Sequence, residues 1–479
     1  MPLARSRRVR ASPFPLTLPT QAAHSMFRLT RAPRQLQLLR RTLSTTPARH
    51  HAPLTHTVSA TLPFFSSVRV EGAPDPAGPI PAFRVLGPDG ALVEEAREMA
   101  EQADGDKLER VMEVMTTLPV LILNASQRQG RLSFYMTSYG EEGVVVGSAA
   151  AWENDDEVFA QYREVGVLLW RDYPLSSLMA QCFSTSSDAA TLGRQMPVHY
   201  GSKEHHFHTI SSPLATQFPQ AAGAAYALKR TPGREGSCVV CYAGEGATSE
   251  GDFHAGLNMA SVLGGPLVFV VRNNGFAIST PTAQQYAGDG IAARGPGYGI
   301  ETVRVDGNDP LAVYLACKEA RRRAVEGEKP VLVEAMTYRV GHHSTSDDSS
   351  AYRSLSAVES VKKLDSPLFR LRRYLESQSP PRWSAERDNA IKDSAKRAIL
   401  REFSKAEKDK KPPLAEMFGD VFAPVPEGAQ REGARGGLER PQREQKEELK
   451  RLVEKWGGTP GWKKELAKFE GGREAVAQW

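Results

Sequence analysis

A short β-rich run, Ser237-Cys-Val-Val-Cys-Tyr-Ala243, passes into Gly244-Glu-Gly-Ala-Thr-Ser-Glu-Gly-Asp252. A helical pattern follows, with Phe253, Gly256, Leu257, Ala260 and Leu263 on one apolar face and Gly264-Gly265 as its stop. A second run, Leu267-Val-Phe-Val-Val-Arg272, ends in Asn273-Asn274. A strand, a crossover helix and a strand make a βαβ unit, so the two strands are expected to be parallel and adjacent. That arrangement sets Glu245 and Asn274 just past the carboxyl ends of the strands, the edge at which open α/β sheets bind ligands.

The rest of the chain extends the pattern. Thr302 to Val305 and Val331 to Met336 are further short β-rich runs, and Leu311 to Val325 is helical. Strands alternating with helices at this spacing predict an α/β fold with a parallel sheet flanked by helices, over a core of residues 106–405. Residues 49–105 are rich in Pro, Gly and Ala and carry short apolar pieces such as Ser67 to Val70 and Phe83 to Leu86. They read as an extended arm lying on a partner or on the core. Residues 406–479 read as a charged, helix-prone tail, with a Pro/Gly-rich linker at 423–441.

Charge narrows the function classes. The net charge of the 479 residues is +5, yet residues 1–50 alone hold ten arginines, no lysine and no acid. Without that leader the chain has 51 Lys+Arg against 56 Asp+Glu, so a nucleic-acid surface is not indicated. An Arg-rich, Ser/Thr-bearing, acid-free leader reads as a mitochondrial transit peptide over residues 1–48; a disordered basic tail is the other reading. No apolar run approaches the ~18–20 residues of a membrane span. Four cysteines are too few for a disulfide scaffold and agree with a reducing matrix.

Glu245 and Asn274 offer a carboxylate and an amide oxygen, hard ligands that suit Mg²⁺, which completes its shell with phosphate oxygens. Gly244 and Gly246 let backbone N–H groups approach those phosphates, and the following helix start adds positive partial charge. From spacing alone, a Mg²⁺–diphosphate site and an ordinary strand-to-helix turn with a glycine kink both stand.

Gly244-Glu-Gly, 26 residues and Asn273-Asn274 is similar to the thiamine diphosphate fingerprint, which usually reads Gly-Asp-Gly. Around it lie Gln161-Tyr-Arg-Glu-Val-Gly166, Gly193-Arg-Gln-Met-Pro-Val-His-Tyr200, Ile210-Ser-Ser-Pro-Leu-Ala-Thr-Gln217 and Tyr338-Arg-Val-Gly-His-His-Ser-Thr-Ser-Asp-Asp-Ser-Ser-Ala-Tyr-Arg353. Together, from about residue 100 to 420, these resemble the alpha subunits of the branched-chain 2-oxoacid dehydrogenases, the decarboxylating component of a mitochondrial complex. The resemblance implies oxidative decarboxylation of branched-chain 2-oxo acids, with the acyl unit passed to a lipoyl group on a transacylase core. It further implies a separate beta subunit in an α₂β₂ heterotetramer, which supplies the acid that activates the cofactor, and a regulatory kinase and phosphatase. The alternatives are a pyruvate dehydrogenase alpha subunit and a catalytically silent regulatory subunit.

Residue by residue, the resemblance assigns Mg²⁺ to Glu245, Asn274 and the backbone carbonyl of Phe276, where the family commonly has Tyr. It assigns the cofactor to Tyr162, Arg163, Ser212, Gly246, Ala247, Arg272 and His343, with His343 also shaping the channel as the catalytic residue. It assigns a structural K⁺ to Ser211, Pro213, Thr216 and Gln217. Read without it, Ser212-Pro213 is a helix N-cap followed by Pro at the first helical position. Ser344 matches the inhibitory phosphorylation site and Ser354 a secondary one; Asp347 and Arg339 are expected to hold the ordered form of their loop. Thr116 to Asn124 departs from the family, since Pro119 breaks what is usually a longer amphipathic helix. The tail beyond about 423 is also unlike the family.

Three motifs carry less weight. Cys238 and Cys241 have redox spacing, but on a strand i and i+3 point to opposite faces. His199, His205, His206 and His208 lack the Cys/His spacing of a zinc site. Gly288-Asp-Gly-Ile-Ala-Ala293 follows a polar loop, so it fails the context of a dinucleotide fingerprint.

Overall fold

The computed structural model describes residues 79–118, 129–344, 346–417 and 435–478, together with a strand at Phe64–Phe65. Eight strands form one all-parallel sheet: β1 (Phe64–Phe65), β2 (Ala82–Phe83), β3 (Glu157–Phe159), β4 (Phe207–His208), β5 (Val239–Gly244), β6 (Leu267–Asn273), β9 (Glu301–Asp306) and β10 (Pro330–Met336). Their order across the sheet is β1-β2-β9-β10-β6-β5-β3-β4. A small antiparallel hairpin, β7 (Phe276–Ala277) and β8 (Thr280–Pro281), follows β6.

β5 and β6 are neighbours, in register from Val239↔Leu267 to Gly244↔Arg272, as the βαβ reading requires. Their side chains alternate between two apolar layers. Cys238, Val240 and Tyr242 enter one with Val268 and Val270; Val239, Cys241 and Ala243 enter the other with Leu267, Phe269 and Val271. Burial on both faces explains why these runs read as continuously apolar. The two cysteines therefore face opposite layers, and all four thiols are free and buried.

The helices used below are α1 (Gly105–Thr117), α2 (Glu142–Ala149), α3 (Gln217–Leu228), α4 (Gly251–Leu263), α5 (Pro310–Gly327), α6 (Leu355–Leu364), α7 (Ala385–Lys408) and α8 (Arg435–Trp456). α4 is the crossover of the βαβ unit. Phe253, Gly256, Leu257 and Ala260 are buried, and Gly264 caps the helix with φ +65. Leu263, expected on the same face, is exposed instead, and it is Gly265 that packs against Ala225 of α3. α3 does not begin at Ser212-Pro213. Ala215 stands at φ +66, which interrupts any helix started there, and the helix opens at Gln217. The N-cap reading of Ser212 is thereby corrected.

α1 ends at Thr117, two residues before Pro119; residues 119–124 of the departing segment lie outside the described residues. The described part of the expected arm belongs to the core. β2 pairs with β9, and Phe83, Val85 and Leu86 are buried. Asp309 fastens it: one oxygen accepts Val85 and Leu86 N–H at 2.7 and 2.5 Å, the other caps α5 through Leu311 and Ala312 N–H. Ser67 to Val70 lies outside the described residues, as does the whole leader. α7 runs across the boundary expected at 405. The stretch 423–441 is helical from Arg435 on, which corrects the linker reading for that part, and residues 423–434 lie outside the described residues. The tail has its own small apolar cluster, Leu414, Val453, Leu466 and Val476.

Candidate cofactor site

β5, β6 and β10 end level, since Gly244 pairs with Arg272 and Asn273 with Met336. Their next residues form the site. Glu245 opens a single 3₁₀ turn (Glu245–Ser249), closed by Thr248 Oγ1 donating to the Glu245 carbonyl at 2.6 Å. The Glu245 side chain is 1% exposed, and its Oε1 has no hydrogen-bond partner among the described residues. Burial pushes its carboxyl up to about 7. Gly246 is required beside it: a Cβ there would stand 2.7 Å from Ala277 Cβ. Ala247 is buried in the same turn. Asn274 donates through Nδ2 to Glu141 Oε1 at 2.9 Å and accepts Phe276 N–H on Oδ1 at 3.1 Å. Its amide is thus oriented, and Phe276 starts β7 directly above it.

A buried ionic network lies beneath. Arg272 donates to Glu141 Oε1 at 3.2 Å and to Glu164 Oε1 at 2.5 Å. Burial opposes its charge, but Glu164 and Glu141 hold the guanidinium above its ordinary value. Arg163 packs against Glu141 at 3.7 Å and donates to the carbonyls of Thr137 and His343, the latter at 2.6 Å. Glu141 and Glu164 carry no role in the sequence reading. Their signals were a Gly-Glu-Glu-Gly start to an apolar helix at Gly140 and the acid inside Gln161-Tyr-Arg-Glu.

The loop after β10 closes over Arg163. Tyr162 Oη lies 3.5 Å from His343 Nε2, with the rings 6.3 Å apart and nearly perpendicular. Burial first, then the charges of Arg163 and Arg339, push His343 down to about 4, so it is neutral at pH 7. Asp347 accepts His343 N–H and Tyr352 Oη–H, and Arg339 donates to Tyr352 Oη at 3.0 Å. Ser344 follows His343 and is half-buried. Ser354 is the N-cap of α6, accepting Ala357 N–H at 3.2 Å.

Ser212 is placed differently from the other cofactor candidates: its hydroxyl pairs with His199 Nε2 at 2.7 Å. Of the K⁺ candidates, Thr216 Oγ1 donates to the Pro213 carbonyl at 3.3 Å and Gln217 Nε2 to the Tyr242 carbonyl at 3.0 Å, while Ser211 is exposed. The 840 Å³ cavity along β4 is lined by none of these residues. Glu157, on its wall, is shared by His206 and His208 at 3.0 and 3.1 Å. Asp289, in the discarded glycine motif, is paired with Arg304 and with Ile80 N–H.

The donor set fits a divalent cation carrying a diphosphate. An unpartnered buried carboxylate oxygen at Glu245 asks for positive charge, and an oriented amide stands at the neighbouring strand end. Gly244 leaves room for close backbone approach, since a Cβ there would meet only Gln161 Oε1 at 4.0 Å, and Arg163 and Arg272 supply a cationic floor. Among the described residues, no helix is long and apolar enough to cross a membrane.

Fold and site together define a component of a thiamine diphosphate-dependent 2-oxoacid dehydrogenase, and comparison bears this out. Residues 110–415 match the model of the dehydrogenase E1 component, and the chain belongs to that family. The chain is 56% identical over 349 residues to the human protein named 2-oxoisovalerate dehydrogenase subunit alpha, mitochondrial, covering 72% of this chain and 77% of that one. It is 50% identical to the Caenorhabditis elegans protein of that name, over 72% of this chain and 79% of that one. It is 48% identical to the Arabidopsis thaliana subunit alpha 1, over 72% of each. Membership implies thiamine diphosphate as cofactor and a beta subunit as partner.

Proposed function

We propose that this chain is the alpha component of a mitochondrial-matrix enzyme that oxidatively decarboxylates branched-chain 2-oxo acids and passes the acyl unit to a lipoyl-bearing transacylase. The observation that carries the reading is Glu245, a buried carboxylate with an unpartnered oxygen at the end of β5, beside Asn274 at the end of β6. The names and identities of the relatives support the branched-chain substrate class over pyruvate.

In this reading Glu245, Asn274 and the Phe276 carbonyl hold Mg²⁺. Gly246, Ala247, Arg163 and Arg272 receive the diphosphate, Tyr162 and Ser212 flank it, and the K⁺ set steadies the turn before α3. Thiamine diphosphate held there would supply a nucleophilic carbon for the keto group and an electron sink for the loss of CO₂. His343, neutral at pH 7 and hydrogen-bond distance from Tyr162, orients the reacting end without adding charge. Ser344, with Ser354 secondary, is the target of a kinase and phosphatase that set the order of the loop. The test is the chain reconstituted with its beta subunit, Mg²⁺ and cofactor, assayed for CO₂ release. Turnover of 3-methyl-2-oxobutanoate well above pyruvate is expected; preference for pyruvate, or cofactor binding without turnover of either, overturns the reading.

A further inference from the structure

Glu164 joins parts of the site that come from separate strands. Its Oε2 accepts the N–H groups of Gln161, Tyr162 and Arg163 at 3.0, 2.9 and 3.0 Å. Its Oε1 accepts Arg272 Nη2 at 2.5 Å from the end of β6. The side chain is fully buried. The same short loop reaches β5, because Gln161 Oε1 accepts Gly244 N–H at 2.8 Å, one residue before Glu245. β3, which leads into the loop, is three residues long and gives it little support of its own.

We propose that Glu164 is a positioning residue that registers the Tyr162–Arg163 loop against Arg272, so that both diphosphate-facing walls are set before cofactor binds. The proposal rests on the cofactor-site reading above. The chemistry of the carboxylate is what the place demands. Three N–H groups converge on one oxygen and a guanidinium on the other, so all four partners are donors. Glutamine has the same shape but carries one NH₂, which must face either the three N–H groups or the guanidinium. A buried donor set against donors loses its bonds and repels them. Glu164 holds Arg272 from one side while Glu141 holds it from the other, which leaves the guanidinium no freedom to follow a displaced loop.

The test uses the full chain assembled with its beta subunit at saturating Mg²⁺. Dissociation constants are measured for thiamine diphosphate and thiamine monophosphate in the wild type, Glu164→Gln, Glu164→Ala and Glu245→Ala. We expect Glu164→Gln to weaken thiamine diphosphate about 30-fold, no better than Glu164→Ala, and to shrink the preference for diphosphate over monophosphate. A packing role would let the isosteric Gln bind as wild type and would leave the preference unchanged; either result overturns the proposal. If Glu164→Gln does not assemble, Glu164→Asp keeps the charge but shortens the reach, and a wild-type preference in it overturns the proposal equally. Wild-type binding in Glu245→Ala would instead remove the cofactor-site reading and this proposal with it.

Discussion

Asp347 accepts the backbone N–H of His343 at 2.7 Å across four residues of the loop after β10. The same oxygen takes the Tyr352 hydroxyl at 2.6 Å, so one carboxylate pins both ends of the segment. Burial raises its pKa, but the bonds from Tyr352 and His343 outweigh burial and hold it below the usual aspartate value. The group's contribution is therefore present above the ordinary aspartate range and is lost as pH falls through the depressed value. Asp347→Asn should speed proteolytic cleavage between 341 and 353 roughly tenfold, equivalent to about 1.4 kcal/mol of opening. Equal cleavage rates would mean that the loop is held by something else.

Ser344 sits between His343 and this pin, and its Oγ accepts Ser346 N–H at 3.3 Å. A phosphate there adds about −1.5 to −2 charge next to the proposed diphosphate site and should disorder the loop. Ser344→Glu in the reconstituted complex should cut reductive acylation of a lipoyl domain by at least about tenfold. A wild-type rate would rule Ser344 out as the switch. Ser354 differs, since negative charge at the start of α6 suits the helix dipole; Ser354→Ala should cost about 1 kcal/mol in thermal unfolding.

Glu245 gives a pH signature. Its folded value near 7 lies above the ordinary 4.5, so the folded chain binds a proton that the unfolded chain releases. Its stabilisation is complete below about 4.5 and is lost as pH rises through about 7. Cofactor-free protein should lose up to roughly 3 kcal/mol over that window through this group, and Glu245→Gln should flatten the loss. Mg²⁺ with thiamine diphosphate should displace about one proton below pH 7, read by calorimetry in buffers of different ionisation heat. Glu245→Ala should lose Mg²⁺-dependent cofactor binding.

The purified chain alone should release no CO₂ from substrate, cofactor and Mg²⁺. Among the described residues, Glu141 and Glu164 are committed to arginines, and the proposed reading gives Glu245 to the metal, so the acid that activates the cofactor is expected from the beta subunit. Turnover comparable to the α plus β mixture would overturn the two-subunit argument.

All four thiols are buried and unpaired, and burial raises each above the usual cysteine value. A thiol reagent should therefore label none in the native state and four after denaturation. Fast native labelling of Cys238 or Cys241 would reopen the redox reading.

The βαβ unit was legible because its information is local. Apolar strands, a helical face and a glycine stop follow one another within 40 residues, and the positions of Glu245 and Asn274 come with them. The parts that escaped depend on distance. Glu141 pairs with Arg272 across 131 positions, and nothing beside either residue announces the other. Ser212-Pro213 carries a strong local signal for a helix start, but the left-handed Ala215 overrides it, and Ser212 pairs with His199 instead. Ala82–Phe83 is too short to read as a strand and becomes one because β9 offers it an edge.

That edge has a consequence for the order of events in folding. Val85 and Leu86 find their acceptor, Asp309, 224 and 223 positions later, and β9 itself has to be made first. Closing a separation of that length is entropically slow, so this edge pairs only after the part of the sheet that carries β9 has formed. Until then Phe83 and its neighbours have only the two-residue β1 to pair with, so a chaperone that binds short apolar segments has an opportunity there.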